Sequence, residues 1–483
     1  MHVIFSNRNN GLSVASLLGS ATEQVFYEPD DNAAIRRLRS EAEAYDLQAH
    51  DNQRLECLLL LQEQTTLWLL QTVGLPDDLY NKVDLTATTA VDLMAKTIFV
   101  KLPQSTAYYP SLDRNTIDRD SDQTVHLLLV GMTPLTEAMA INAALVAHYP
   151  NYCRDSRLRT RITIIDDNIF ELRDHLLQRY CHLFDNSYYR TIDLTDSNPH
   201  CVLHRPMYEG SRTDFVDIEW EFVNGNLRND AMRRKVTEWS VSPNQQLTII
   251  LCHNDDIRNY NEAFSLPEQT YKNSIPVLCH AGQNDVLSLI LSNKTYSSIT
   301  PFSINSCSLD TLRVLTNLGR RVNYVYNHCF SLEAGAPITA PADIDEGKLM
   351  ELWQQVGSLP KQYSNIFNAM TLGTKMHSLG HNAKDWEQYY ALSREEVEVL
   401  TEVEHNRWSV EELILGYRPL NDEEQQRVDA DITLKRVLRN QKIHYDLRAF
   451  SDLRSDITGK NVNVYDMALV QAIPLIIKSC ITS

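Results

Sequence analysis

Along this chain, apolar residues gather in short continuous runs separated by stretches with helical periodicity. The clearest run is Val125–Val130, closed at once by Gly131, as expected of a parallel strand covered on both faces. Thr133 can cap the helix that follows, and Pro134 suits its first turn. That helix runs through small and apolar residues to Tyr149-Pro150. A second apolar strand, Arg161–Ile165, ends in Asp166-Asp167. Four more runs follow: Asp217–Val223, Leu247–Cys252, Ile275–His280 and Ser297–Ile304. Strands alternating with helical stretches predict a six-strand parallel sheet within residues 120–335. Ligands of such sheets sit beyond the carboxyl ends of the strands. That rule places Gly131, Thr133, Asp166, Asp167, His253, Asn254, Asp255 and His280 around one crevice.

Residues 1–105 read as a smaller unit of the same kind with a helical extension. His2–Phe5 is a short strand, a turn runs to Gly11, a helix opens at Leu12, and Gln24–Tyr27 is a second strand ending at Glu28. Glu28 stands near the spacing at which a dinucleotide fold offers a carboxylate to ribose hydroxyls. Residues 32–74 show helical spacing at Ile35, Leu38, Leu55, Leu58, Leu59, Trp68 and Leu69, which predicts two helices forming core or a dimer face. Residues 96–102 (KTIFVKL) read as a strand. Residues 104–124 and 332–346 read as linkers, and 345–483 as helical. The fold class is therefore α/β: Rossmann-like, doubly wound parallel sheets followed by a mainly α-helical domain.

The phosphate-binding loops depart from the dinucleotide pattern. Of three expected glycines only Gly131 is present in the central unit, with Thr133 and Thr136 at the other two positions; the first unit keeps only Gly11. A threonine Cβ and hydroxyl stand where pyrophosphate should pass. Bound NAD(P) is thus disfavoured, and another nucleotide, or no ligand, fits better. No G-x-S-x-G, P-loop or H-E-x-x-H occurs, so the chain is not expected to be an enzyme. The adjoining Cys252-His253 and Cys279-His280 pairs read as buried structural cysteines rather than a metal site.

The net charge of −18 excludes a general nucleic-acid surface. Nine cysteines without framework spacing, and no signal peptide, indicate a reducing cytoplasm. No run reaches the roughly 18 apolar residues of a membrane span. A first strand starting at residue 2 is what a piece of a longer protein, with a membrane portion ahead of it, would show.

The carboxyl-terminal third carries the most specific pattern. Val403–Leu420 reads VEHNRWSVEELILGYRPL. On a helix, Glu404, Trp408 and Glu411 lie close together, as do His405, Trp408 and Glu412. Asn406 and Arg407 flank them, Gly416 closes the helix, and Tyr417 and Arg418 follow. These residue types can stack on a base and bind phosphate; a helix that packs its Trp and caps itself uses the same types.

This stretch, with Lys442–Leu447 (KIHYDL) and Val464-Tyr465-Asp466, resembles the RyR domain, the repeat first named in ryanodine receptors. Tyr445 stands where that pattern has proline, and Leu420 where it has a second glycine. Tyr363-Ser364-Asn365, Ala369 and Lys375 are similar to a segment preceding bacterial RyR domains. The central β-α-β resembles TrkA-N domains, the Rossmann modules of potassium-transport regulators. The resemblance implies a prokaryotic regulatory protein that senses a nucleotide-type small molecule, linked to ion-transport control or to stress or defence signalling. It implies a ligand pocket at His405, Asn406, Trp408, Tyr417, Arg418, His444 and Asp446, with Gly131, Thr133, Asp166, Asp167, Gly11 and Glu28 as a secondary nucleotide site. A homo-oligomer, and a membrane portion or channel partner outside this chain, are expected. The alternatives are an NAD(P)-dependent oxidoreductase and a cytosolic scaffold without ligand.

Overall fold

In the computed structural model, the described residues are 2–7, 24–102, 109–195, 200–206, 214–282, 294–304, 307–332, 339–381, 391–453 and 463–482. The first sheet contains β1 (His2–Asn7), β2 (Gln24–Glu28), β3 (Leu55–Leu61) and β4 (Val83–Thr89), all parallel, in the order β2-β1-β3-β4. Helix α1 (Asp31–Ala44) leads towards β3, α2 (Gln64–Thr72) towards β4, and α3 (Ala90–Phe99) leaves β4.

Two sequence expectations are corrected here. Leu55–Leu61 is a strand, not a helix: it lies between β1 and β4, and a short apolar run buried on both faces carries no period that separates strand from helix. The 96–102 stretch is not a strand. Its first half ends α3, which is fixed by the Thr89 side chain accepting from the Asp92 N–H (3.1 Å) and by packing against the first helix of the next sheet. Strand β4 escaped notice because its residues, VDLTATT, are threonine-rich, although the strand is buried.

The second sheet contains β5 (Thr124–Val130), β6 (Thr160–Asp166), β7 (Tyr188–Asp193), β8 (His200–His204), β9 (Ile218–Asn224), β10 (Gln245–Leu251), β11 (Val277–His280) and β12 (Ile299–Phe302). Its order is β12-β11-β10-β5-β6-β9-β7-β8. The six strands expected from the sequence therefore run third, second, first, fourth, fifth, sixth, the order of the Rossmann fold. The hairpin β7–β8 extends the sheet beyond β9 and supplies its only antiparallel pairing among the described strands. Helix α4 (Pro134–Val146) follows β5 behind a capping box at Thr133 and Thr136. It is buried on nearly every face because α3 covers the side turned away from its own sheet. Helices α5 (Ile169–Arg179), α6 (Asp230–Val241) and α7 (Asp256–Phe264) follow β6, β9 and β10.

The long helix α8 (Asp310–Ser331) leaves the second sheet and packs against α9 (Glu346–Gln354) and α10 (Leu359–Met370). Then come α11 (Leu372–Ser378), α12 (Arg394–Ile414), α13 (Asp422–Ala430), α14 (Leu434–Asn440) and α15 (Asn463–Gln471). The two-residue strands β13 (Arg418–Pro419) and β14 (Ile443–His444) pair within this region. One apolar core runs through both sheets and the helical region. Polar ties accompany it: Tyr363 Oη donates to the Ala87 carbonyl (2.8 Å) and accepts from the Ala87 N–H (3.0 Å), and Trp353 Nε1 donates to Asp84 (3.0 Å). Among the described residues no helix is long and apolar enough to cross a membrane.

Candidate functional site

The crevice at the carboxyl ends of β5 and β10 lies where the strand order reverses. Gly131 adopts a φ of +89°, and a Cβ there would stand 2.7 Å from Cε1 of His253 and 2.9 Å from its Cγ. The buried His253 ring thus covers the turn that would face pyrophosphate. Its Nε2 is 2.9 Å from Glu262. Glu262 also accepts from Arg258 Nε (3.2 Å), and Arg258 Nη2 reaches Asp167 (3.1 Å). The loop's own donors are engaged as well. The Met132 N–H donates to Asp166 (2.9 Å), the Thr133 N–H to Thr136 Oγ1 (3.1 Å), and the Thr133 hydroxyl to the Cys252 carbonyl (3.0 Å). Gly131, Thr133, Asp166 and Asp167 do come together, but their polar groups bind protein. His280 Nδ1 lies 3.4 Å from the His253 carbonyl, and Asp255 caps α7. In the smaller unit the Asp31 carboxylate accepts from the N–H groups of Gln62 (2.9 Å) and Glu63 (3.0 Å) just ahead of α2. Glu28 ends β2 half-buried, and Gly11 lies outside the described residues.

Helix α12 presents two adjacent polar faces. On one, Glu404, Arg407 and Glu411 recur at helical spacing. Arg407 Nε lies 3.0 Å from both Glu404 oxygens, Nη2 lies 2.8 Å from one of them, and Nη1 donates to Glu411. Lys375 on α11 donates to Glu404 and to Thr371 Oγ1 (2.8 Å), and Asn368 Nδ2 donates to Glu404 (2.8 Å). All four charged side chains are buried. Burial opposes ionisation of Glu404, but Arg407 and Lys375 outweigh it and hold the carboxyl at about 2. Burial pushes Glu411 up against the pull of Arg407.

The other face carries His405, Trp408 and Glu412. The His405 ring lies 5.6 Å from Trp408 and 5.9 Å from Phe450. Its Nε2 donates to the Arg448 carbonyl (2.8 Å), and its Nδ1 is 3.7 Å from Asp466. Burial works against its cation, but Asp466 prevails and holds it above the ordinary histidine value. The Trp408 ring meets His444 edge-on at 4.8 Å, and Tyr417 meets His444 at 6.0 Å. Lys442 Nζ sits 4.3 Å from the centre of the Tyr417 ring. The Asp446 N–H donates to His444 Nδ1 (3.2 Å), so the ring proton of neutral His444 is on Nε2. Burial, with Arg439 nearby, keeps that ring neutral.

His405, Trp408, Tyr417, His444 and Asp446 are therefore brought together. Asn406 instead faces Cys153 Sγ at 4.0 Å, and the Arg418 guanidinium is committed to Glu424 (2.7 and 2.8 Å) at the start of α13. Three buried polar atoms in the cluster have no hydrogen-bond partner: Glu412 Oε2, His444 Nε2 and Asp446 Oδ1. Sequence reasoning set Glu412 beside His405 and Trp408 without assigning it to the pocket. It missed Tyr326 and Phe330 of α8, whose rings lie 6.0 and 5.0 Å from Tyr465. Glu412 acts electrostatically on both Tyr326 and Tyr417. No sequence signal pointed to Tyr326, because a linker separates it from the rest of the cluster. No family model matches this chain, and neither does any curated protein or any solved structure.

Proposed function

We propose that this is a regulatory, ligand-sensing protein whose carboxyl-terminal region takes a nucleotide-type small molecule against Trp408, Tyr417 and His444. The observation that carries this reading is the set of unpartnered buried atoms, Glu412 Oε2, His444 Nε2 and Asp446 Oδ1, beside aromatic rings. An unpaired buried polar group costs roughly 1–3 kcal/mol, and a ligand that supplies the missing partners recovers that cost. Aromatic faces stack on bases, and Lys442 and Arg439 contribute positive charge beside them. The resemblance to RyR and TrkA-N proteins favours the same reading, with ion-transport control or a stress or defence response as output. The self-occupied crevice around His253 and Gly131 weighs against the NAD(P)-dependent oxidoreductase.

Regulation follows from where the rings come from. Tyr326 belongs to α8, Trp408 to α12 and Tyr465 to α15, so a ligand that contacts all three favours the arrangement in which these helices are close. The test is a thermal-shift screen of the purified chain against dinucleotides, cyclic mono- and oligonucleotides and ADP-ribose derivatives. A ligand specific for the folded state raises Tm, and Trp408→Ala should abolish the shift. A flat screen, or a shift that survives Trp408→Ala, overturns the proposal.

A further inference from the structure

Glu412 lies one turn beyond Trp408, on the same face of α12. It is 5% exposed, yet its Oε2 has no hydrogen-bond partner. Three cations act on it, Arg439, Lys442 and Arg407. Lys442 Nζ donates to the carbonyls of Thr72 (2.9 Å) and Leu415 (3.2 Å), Arg407 is bound to Glu404 and Glu411, and Arg439 attracts Glu412 without a hydrogen bond to its Oε2. The opposite polarity stands nearby, because Nε2–H of His444 is a buried donor that lacks an acceptor and its ring touches Tyr417. An acceptor and a donor flanking one aromatic ring complement a molecular edge that places an amine beside a ring nitrogen.

We infer that Glu412 selects the ligand by accepting a hydrogen bond from an exocyclic amine of a nucleobase, with His444 Nε2–H donating to the adjacent ring nitrogen. The class named is an adenine-type nucleotide, and the inference rests on the ligand-sensing reading above. A carboxylate kept only to hold the fold would make the opposite prediction about stability. Removing a structural carboxylate destabilises, whereas removing an unpartnered buried acid relieves the folded state.

The experiment compares adenosine 5′-monophosphate with purine riboside 5′-monophosphate, which lacks only that amine and keeps the ring nitrogen as an acceptor, by calorimetric titration of the full chain. Measured above the raised Glu412 value of about 7, where the carboxyl is ionised, wild type should bind the adenine nucleotide about tenfold or more tightly, the worth of one charge-assisted hydrogen bond. Glu412→Met should bring the ratio close to one while raising the Tm of the unliganded protein, and Glu412→Gln should fall between. Trp408→Ala should weaken both nucleotides alike. Equal affinities in wild type, an unchanged ratio in Glu412→Met, or a lowered Tm in that variant overturns the inference. So does binding of another nucleotide when neither monophosphate binds. If no nucleotide binds at all, the ligand-sensing reading falls and takes this inference with it; binding without discrimination sinks the inference alone.

Discussion

Lys375 and Glu404 form an ion pair in the interior of the carboxyl-terminal region, each side chain 2% exposed, and Arg407 completes the charge balance from the next turn of α12. Taking such charges out of water is costly, so their mutual geometry decides the outcome. Removing one partner leaves a buried carboxylate short of a cation. Lys375→Met should therefore lower unfolding free energy by about 3–5 kcal/mol, measured by urea denaturation. A loss under about 1 kcal/mol, the range of exposed pairs, would show that Arg407 alone balances Glu404.

The same pair sets an acid limit. Glu404 ionises at about 2 when folded, against 4.5 ordinarily. The unfolded chain thus takes up this proton first as pH falls, and stability is fully present above pH 4.5 and lost progressively towards pH 2. Unfolding free energy between pH 5 and pH 2.5 should fall less steeply in Lys375→Met than in wild type. Parallel slopes would show that the lysine does not hold Glu404 ionised.

Tyr363 closes an open sheet edge. Strand β4 is the last strand of the first sheet, and its outward Ala87 N–H and C=O are both met by the Tyr363 hydroxyl. Tyr363→Phe keeps the ring and strands two buried backbone groups. It should cost about 1–3 kcal/mol and speed hydrogen exchange at the Ala87 amide. Unchanged protection there would mean that the hydroxyl is dispensable.

Continuous apolar runs are why the second sheet could be read from sequence. Val125–Val130 and Leu247–Leu251 are covered on both faces, and nothing but strand fits so short a run ended by a turn signal. Leu55–Leu61 is just as apolar, but its leucines continue the spacing of helices on either side, so the pattern named the wrong element. The hairpin β7–β8 was invisible for a different reason. It hangs on the sheet edge with Val202 and Leu203 at 39% and 43% exposure, so no buried face imposes alternation. The site divides along similar lines. Helix spacing, which is local, set His405 beside Trp408 and Glu404 near Glu411, but it grouped Trp408 with those glutamates and left Arg407 as a flank, whereas Arg407 binds both of them and Trp408 turns to His405. The turn of Asn406 towards Cys153, the Arg418–Glu424 pair and the arrival of Tyr326 depend on tertiary packing that spacing does not encode.

The crevice makes its own prediction. Gly131 is held at positive φ beneath His253, so Gly131→Ala meets both an unfavourable backbone conformation and the imidazole ring. A loss of at least about 1–3 kcal/mol is expected. Wild-type protein should also fail to enhance NADH fluorescence on titration, because the turn's donors are already engaged with Asp166 and Thr136. Saturable enhancement would mean that His253 swings away from Gly131.

Glu412 should leave a signature near neutrality of opposite sign to that of Glu404. Burial, reinforced by Glu411, pushes its carboxyl up to about 7 from 4.5. The folded protein then keeps a proton that the unfolded chain releases, so this group's contribution is present below pH 4.5 and is lost as pH rises to about 7. His444, held neutral by burial, works the other way over part of the range, because the unfolded chain protonates it as pH falls. His405, stabilised as a cation by Asp466, loses its contribution as pH climbs from the ordinary histidine value to its raised one. The wild-type profile alone is therefore a mixture, and the informative quantity is Glu412→Gln minus wild type. That difference should grow in favour of the variant from pH 4.5 to pH 7, by up to about 3 kcal/mol, and then level off. A difference independent of pH would mean that Glu412 is already ionised and partnered in the folded protein. It would then have no unsatisfied acceptor to offer a ligand.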